Sequence, residues 1–175
     1  NRTVQGQYPP GSTFKIAVAT GALEEGVSPS SGVSCGGGMQ FGGHYFHCWK
    51  KGGHGTVQVH EALVQSCDVF FYQVGQRLGI DVIAEYARAF GLGSPTGTGI
   101  EHEKGGVIPD SAWKRQRFDE PWYAGETLSA SIGQGYITTT PMQMAELMAT
   151  MAVGVRYRPR LVSRRVRPGH LPRMP

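Results

Sequence analysis

Glycine divides this chain into helical segments and long loops. It supplies 26 of the 175 residues, and a glycine stands where each of four helical patterns stops, since glycine readily adopts the left-handed conformation at a helix end. The predicted helices cover residues 12–24, 57–78, 81–90 and 141–153, and they stop at Gly26, Gly79, Gly91 and Gly154. We therefore expect a mainly helical protein with long loops.

Start signals support these helices. Thr140 is predicted to cap the last one, with Pro141 at its first position and Gln143 completing a capping box. Asp81 is predicted to cap the third helix, and a further short helix is expected to open at Asp110. The last helix carries an apolar face that is predicted to be core, made of Met144, Leu147, Met148 and Met151.

Two other stretches are not helical. Residues 26–56 are predicted to be one loop punctuated by glycine pairs and triplets, and a loop of that length in a compact domain requires a function or an internal staple. Residues 155–162 alternate apolar and basic side chains around Pro159 and are predicted to form an edge strand.

The excess of positive charge is confined to the C-terminal end of the chain. The formal net charge is +4, but the chain after Gly154 has no acidic residue and holds seven of the 17 basic ones, Arg156, Arg158, Arg160, Arg164, Arg165, Arg167 and Arg173. Residues 1–155 are left with a formal charge of −3. We predict no nucleic-acid partner, because the basic end lacks interleaved aromatic residues beyond Tyr157.

No apolar run approaches the roughly 18 residues of a membrane span, and no signal-peptide pattern is present.

The first helix opens with Ser12-Thr-Phe-Lys15, a Ser-x-x-Lys motif. One helical turn is predicted to place the Lys15 amine beside the Ser12 hydroxyl, where a neutral amine could take the serine's proton. About one such motif is expected by chance in a chain of this length, and Ser111-Ala-Trp-Lys114 is a second match. The second match runs into Arg115-Gln-Arg117, which is typical of a solvated charged face, so the context favours Ser12.

A second polar motif, Ser66-Cys67-Asp68, interrupts the helical pattern of residues 57–78. Taken alone, it is typical of a helix cap. After a Ser-x-x-Lys helix, however, it matches the second element of the Ser-x-x-Lys, Ser-x-[Asp/Asn], Lys-Thr-Gly set of serine acyl-enzymes. The hydroxyl of Ser66 and the carboxylate of Asp68 are predicted to face the pocket, with Cys67 pointing away from it.

With these motifs the chain resembles the class B penicillin-binding proteins, closest to those of the elongation (rod) machinery. The resemblance covers about residues 3–162, a partial transpeptidase domain, followed by an Arg/Pro-rich tail over 163–175. Seven blocks carry it in order: Gln7-Tyr-Pro-Pro-Gly-Ser-Thr-Phe-Lys15, Trp49-Lys-Lys-Gly-Gly-His-Gly55, Ser66-Cys-Asp-Val-Phe-Phe-Tyr72, Trp113-Lys-Arg-Gln-Arg-Phe118, Pro121-Trp-Tyr123, Ile132-Gly-Gln-Gly-Tyr136 and Thr140-Pro141.

The resemblance implies an α+β fold of the β-lactamase/transpeptidase type, represented here mainly by its helical subdomain. It implies a serine D,D-transpeptidase or D-Ala-D-Ala carboxypeptidase, in which Ser12 is the acylated nucleophile and Lys15 its base. Ser66 and Asp68 would relay protons and donate or accept hydrogen bonds. An oxyanion hole would use the Ser12 backbone N–H and a second N–H from a strand.

The implied partners are peptidoglycan stem peptides and β-lactams, and, for the complete protein, a membrane glycosyltransferase and other rod-complex proteins. The implied location is the periplasmic face of the bacterial inner membrane. One element of the family pattern is missing, since no Lys-Thr-Gly or Lys-Ser-Gly occurs in the 175 residues. We therefore interpret the chain as a fragment. A non-catalytic penicillin- or peptide-binding module and a structural zinc-binding fragment are the alternatives.

Three cysteines and a histidine span the glycine-rich loop. Cys35, Cys48, His54 and Cys67 have the spacing C-x12-C-x5-H-x12-C, which lacks the close Cys-x-x-Cys pairs of a strong zinc motif. A structural zinc on these four residues would supply the staple that the loop requires, and some members of the resembled family carry a metal at the corresponding loop. A Cys35–Cys48 disulfide and three unpaired thiols are the alternatives, and no cofactor is expected to be needed for catalysis.

Overall fold

The computed structural model describes residues 1–160. The predicted tail over 163–175 and the last two residues of the predicted edge strand lie outside this range. The described elements are, in order, α1 (Arg2–Gln5), a 3₁₀ turn (Gly11–Phe14), α2 (Lys15–Glu24), β1 (Val33–Cys35), β2 (Gly38–Phe41), β3 (His44–His47), β4 (Gly55–Val57), α3 (Val59–Val64), α4 (Asp68–Ala89), α5 (Ser111–Phe118), α6 (Ala124–Ser131) and α7 (Pro141–Val153).

Helix α4 is the centre of the fold and packs against both α2 and α6. Its buried side chains include Phe70, Phe71 and Ile83, which join Phe14 of the 3₁₀ turn in one hydrophobic core. The contact with α6 is close at Gly75, where an added Cβ would lie 2.4 Å from the Cβ of Ser131. The packing of α4 also fixes the position of its first residue, Asp68, and of the turn that precedes it.

The helix ends follow most of the sequence signals. Gly79 breaks α4 with φ 76° and ψ 163°, and the capping box of Thr140 with Gln143 opens α7. Asp110 caps α5 by accepting the Trp113 N–H at 2.7 Å. The cap predicted for Asp81 is wrong, because its carboxylate accepts the N–H and hydroxyl of Ser111 at 2.8 and 2.9 Å.

The loop predicted over residues 26–56 is also wrong. Strands β1 and β4 pair antiparallel, as do β2 and β3, so two small sheets occupy this stretch. The last strand, β4, ends at Val57. Strands of three or four residues are too short to show an alternating pattern, and the glycines between them form the turns. Gly53, with φ +74°, approaches the Cys35 carbonyl so closely that a Cβ would lie 2.0 Å from its oxygen.

Two further expectations fail near the end of α7. Met148 and Met151 are 48% and 47% exposed, so only Leu147 of the predicted core face is fully buried. Residues 155–160 form no strand. None of the helices within residues 1–160 combines the length and apolar character needed to cross a membrane.

The carboxylate of Glu103 holds the loop from Ser94 to Glu103 together through hydrogen bonds. Glu103 accepts the Thr96 N–H at 2.7 Å, the Thr96 hydroxyl, and the Gly97 N–H at 3.0 Å. Burial alone would raise the pKa of Glu103, but the hydrogen bonds from Thr96 and Gly97 outweigh it and lower the pKa below its ordinary value of 4.5.

We expect Glu103→Gln to lower the free energy of unfolding by about 2 kcal/mol at pH 7, because charged hydrogen bonds are lost. A carboxylate with a lowered native pKa stabilises the fold above its unfolded pKa and loses that effect as the pH falls through the native value. Thermal unfolding at pH 7 and pH 3 should show the gap between variant and wild type closing in acid. Glu101→Gln, an exposed neighbour, is the control; a gap of constant size would contradict the prediction.

Candidate active site

Ser12 lies in the 3₁₀ turn that precedes α2, and Lys15 is the first residue of α2. The predicted single helix therefore starts as a 3₁₀ turn, which is common at helix N-termini. The Ser12 side chain is exposed to solvent, whereas Lys15 is only 1% exposed. The Gly11 N–H donates to the Gly133 carbonyl at 3.0 Å and joins this turn to the segment after α6.

Lys15 is held by the Ser66-Cys67-Asp68 turn. Its Nζ donates to Asp68 Oδ1 at 2.6 Å and to the Ser66 hydroxyl and carbonyl oxygens at 3.0 Å each. None of the described hydrogen bonds joins Lys15 directly to Ser12. The Ser66 hydroxyl lies 2.8 Å from Ser12 Oγ and links the two. The direct serine–lysine contact expected from the spacing is thus replaced by a contact through Ser66, because Asp68 draws the ammonium towards α4.

The Ser66 turn connects α3 to α4. Ser66 has φ 52°, in the left-handed region, and the Cys67 N–H donates to the Ala62 carbonyl at 2.9 Å. This conformation reverses the chain so that Ser66 and Asp68 face Ser12 while the fully buried Cys67 faces the opposite way. The structure brings Ser12, Lys15, Ser66 and Asp68 together, as the sequence predicts.

Trp49 also belongs to the site, although the sequence analysis did not predict it as a site residue. Its backbone N–H donates to Asp68 Oδ2 at 3.0 Å, and its indole N–H donates to the carbonyls of Gln65 and Ser66 at 3.0 and 3.1 Å. An exposed tryptophan directly after a predicted metal ligand, Cys48, was the signal that could have identified it. A cleft of about 540 Å³ lies over these groups, lined by Ser12, Trp49, Ser66, Asp68, Ile132 and Gln134.

Behind the turn, the four predicted metal ligands come together. One potential ligand atom from each of Cys35, Cys48, His54 and Cys67 lies within 4.8 Å of all the others. The Nδ1 atom of His54 is 3.6 Å from the sulfurs of both Cys35 and Cys48. A tetrahedral zinc with bonds of about 2.3 Å to sulfur and 2.0 Å to nitrogen places such atoms about 3.5 Å apart. The residues therefore fit a zinc ion.

The electrostatics of this cluster suit a cation. Burial raises the pKa of the Cys67 thiol to about 12, so a nearby positive charge is needed to make it a thiolate. Burial also lowers the pKa of His54 and favours the neutral, ligating imidazole. The second nitrogen of His54, Nε2, is buried without a hydrogen-bond partner. All three cysteines are free in the structure.

The second Ser-x-x-Lys match does not form a comparable site. The Ser111 hydroxyl donates to Asp81 rather than contacting Lys114. The solvated face predicted over Arg115-Gln-Arg117 is confirmed, since these residues are exposed, whereas Lys114 before it is buried.

An exposed serine hydroxyl, a second serine and a buried lysine–aspartate pair beside one cleft define the class of serine acyl-transfer sites. The chain belongs to the penicillin-binding protein transpeptidase domain family, whose model matches residues 1–173. The mainly helical, transpeptidase-like fold predicted from the sequence is thereby confirmed.

Known proteins support this assignment. The chain is 43% identical over 155 residues to the peptidoglycan D,D-transpeptidase MrdA of Acinetobacter baumannii, covering 87% of the chain and 23% of that relative. It thus spans about a quarter of the curated relative. The structure of the complex between penicillin-binding protein PBP2 and MreC from Helicobacter pylori aligns with a TM-score of 0.89 at 34% identity, over 91% of this chain and 30% of that one. A peptidoglycan synthase complex aligns with a TM-score of 0.81 at 44% identity, over 88% and 26%.

Proposed function

We propose that Ser12 is the nucleophile of a peptidoglycan D,D-transpeptidase, acting within the complete protein that contains this chain. The observation that carries the proposal is the continuous contact from Ser12 Oγ to Ser66 Oγ, at 2.8 Å, and on to Lys15 Nζ, at 3.0 Å. This contact offers the serine a route for its proton. The substrate would be a stem peptide ending in D-Ala-D-Ala.

In the reactive form, Lys15 is a neutral amine. The two hydroxyl groups rotate so that Ser12 donates to Ser66 Oγ and Ser66 donates to Lys15 Nζ. The Ser12 proton moves to Ser66 Oγ as the Ser66 proton moves to Lys15 Nζ. Asp68, 2.6 Å from Nζ, stabilises the ammonium that forms. Its other oxygen is held by the Trp49 N–H, which fixes the carboxylate in place.

Acylation forms a bond between Ser12 Oγ and the carbonyl carbon of the penultimate D-alanine. The Ser12 backbone N–H would donate to the oxyanion. The C–N bond to the terminal D-alanine then breaks, and the proton held by Lys15 returns to that leaving amine. An amine of a neighbouring stem peptide attacks the ester and releases Ser12 with a new cross-link; water in its place gives carboxypeptidase activity. A β-lactam acylates Ser12 by opening its ring, so its leaving group stays attached.

The test is mass spectrometry of the complete protein after reaction with a penicillin. We expect one adduct, located on the peptide that contains Ser12. A protein that binds the penicillin without forming a covalent adduct would instead support the non-catalytic binding module, and an adduct on another serine would contradict the assignment of Ser12.

We also propose a structural zinc ion held by Cys35, Cys48, His54 and Cys67. When bound, the ion would supply a cross-link among β1, the chain after β3, and the turn before α4. Cys67 lies between Ser66 and Asp68, so its sulfur anchors the back of the turn whose front faces Ser12. The buried ligands and the matching nitrogen–sulfur distances support this site.

We expect about one zinc per protein by metal analysis, and Cys48→Ser to lose most of it, since three ligands hold a structural zinc poorly. The variant should also unfold at a lower temperature. His44→Ala is the matched control, because His44 is an exposed histidine in the neighbouring strand β3. A metal-free wild-type protein with a Cys35–Cys48 bridge would refute the zinc site.

For the complete protein we propose action at the periplasmic face of the bacterial inner membrane, with a membrane glycosyltransferase and rod-complex proteins as partners. The similarity to a PBP2 solved with MreC and to a chain of a peptidoglycan synthase complex supports these partners. Cross-linking in intact cells, followed by identification of the captured proteins, tests the proposal; capture of only cytoplasmic proteins would contradict it.

A further inference from the structure

The second Ser-x-x-Lys match contains a buried lysine whose surroundings the acyl-transfer mechanism does not use. Lys114, on α5, is 3% exposed. Its Nζ donates to Glu126 Oε1 at 2.6 Å and to the Tyr136 hydroxyl at 3.1 Å. Lysine is almost never fully buried unless it is paired, so the burial of Lys114 depends on these specific partners.

Aromatic rings complete the enclosure of the ammonium. Its Nζ lies 4.9 Å from the ring centre of Tyr136, 5.2 Å from that of Phe118 and 5.5 Å from that of Tyr123. These distances are within the range of cation–π attraction. The hydrogen bond to Glu126, followed by that to Tyr136, raises the pKa of Lys114, so the side chain stays charged at neutral pH.

The two hydrogen-bond partners of Lys114 stand before and after a cleft-lining segment in the sequence. Glu126 lies in the first turn of α6, and Tyr136 follows the segment of residues 132–135 that comes after this helix. Two residues of the segment, Ile132 and Gln134, line the cleft over Ser12. We call residues 132–135 the cleft wall. Lys114 thus joins the start of α6, through Glu126, to the residue that follows the cleft wall, Tyr136.

The same segment contacts the turn that carries the nucleophile. The Gly133 carbonyl accepts the Gly11 N–H at 3.0 Å. The backbones are so close that a Cβ on Gly133 would lie 2.2 Å from the Gly11 oxygen. A shift of residues 132–135 would therefore move both the cleft wall and the support of the Ser12 turn.

We propose that Lys114 is a positioning residue of the acyl-transfer site, which fixes residues 132–135 through Tyr136 and thereby sets the cleft wall against Ser12. This inference rests on the proposed acyl transfer by Ser12. Lys114 acts through the geometry of the segment. A displacement of about 1 Å can slow such a reaction about 10²-fold, so loss of this anchor slows the chemical step more than it weakens ligand binding.

The experiment measures penicillin acylation of the complete protein, separating the binding constant from the first-order acylation rate constant per folded molecule. We expect Lys114→Met, which keeps the length and apolar stem, to lower the rate constant about tenfold. The binding constant should change little. Tyr136→Phe removes only the hydroxyl and should lower the rate constant about threefold. Arg115→Met is the matched control, because it removes the adjacent, exposed cation and should leave the rate constant unchanged.

A merely structural role would lower the folded fraction and the unfolding temperature without changing the rate constant per folded molecule. Wild-type rate constants in both Lys114→Met and Tyr136→Phe would therefore overturn the inference. If Lys114→Met does not fold, Tyr136→Phe decides alone, and a wild-type rate constant in that variant overturns it. A wild-type protein that is not acylated at all would overturn the proposed function instead, so the two failures are distinguishable.

Discussion

The Ser12→Ala protein is expected to form no covalent adduct with a fluorescent penicillin, a loss of at least about 10³-fold in the acylation rate constant. The reason is that Ser12 is the exposed hydroxyl at the cleft, 2.8 Å from Ser66 Oγ. Ser66 itself lies between Ser12 and Lys15, so its hydroxyl does not replace the missing nucleophile. Labelling of the complete protein, quantified on a gel over time, measures the effect.

The chain supplies its own control for this experiment. Ser111→Ala makes the same substitution in the other Ser-x-x-Lys match, whose serine donates to Asp81. We expect the Ser111→Ala protein to be labelled at the wild-type rate. Equal labelling of Ser12→Ala and wild type would show that another residue is acylated, and loss of labelling only in Ser111→Ala would transfer the nucleophile to the second motif.

Helices and their ends were predictable from this sequence because their signals are local. Thr140 with Gln143 and the break at Gly79 depend on residues within one or two turns of each other. The short strands between residues 33 and 57 could not be predicted in the same way. They are defined by pairing partners distant in sequence, such as Val33 with Val57, and each strand is too short to show its own periodicity.

Four members of the candidate site were predictable, whereas Trp49 and the contacts among the members were not. Ser12, Lys15, Ser66 and Asp68 follow from motif spacing and order. The position of the Lys15 amine between Ser66 and Asp68, however, depends on the left-handed conformation of Ser66. Spacing within one helix contains no information on that tertiary contact, and for the same reason it did not reveal that Tyr123 and Tyr136, from outside α5, help to bury Lys114.

The second large effect is expected for Lys15→Met, in which the site loses its cation. Asp68, whose side chain is 13% exposed, would lose the cationic partner now 2.6 Å away. Removing one member of a buried ion pair costs about 3 kcal/mol or more of folding free energy. The acylation rate constant should fall about 10³-fold as well, since the proton acceptor is gone.

The double variant Lys15→Met with Asp68→Asn separates these two losses. The neutral amide no longer leaves a buried charge without a partner, so much of the stability lost in Lys15→Met should return, seen as a higher midpoint of thermal unfolding. Acylation by penicillin should stay as low as in Lys15→Met, because a methionine thioether cannot accept the proton relayed through Ser66. Recovery of acylation together with stability would show that Lys15 serves only to hold Asp68 and the turn, and the proton of Ser12 would then have to leave by another route.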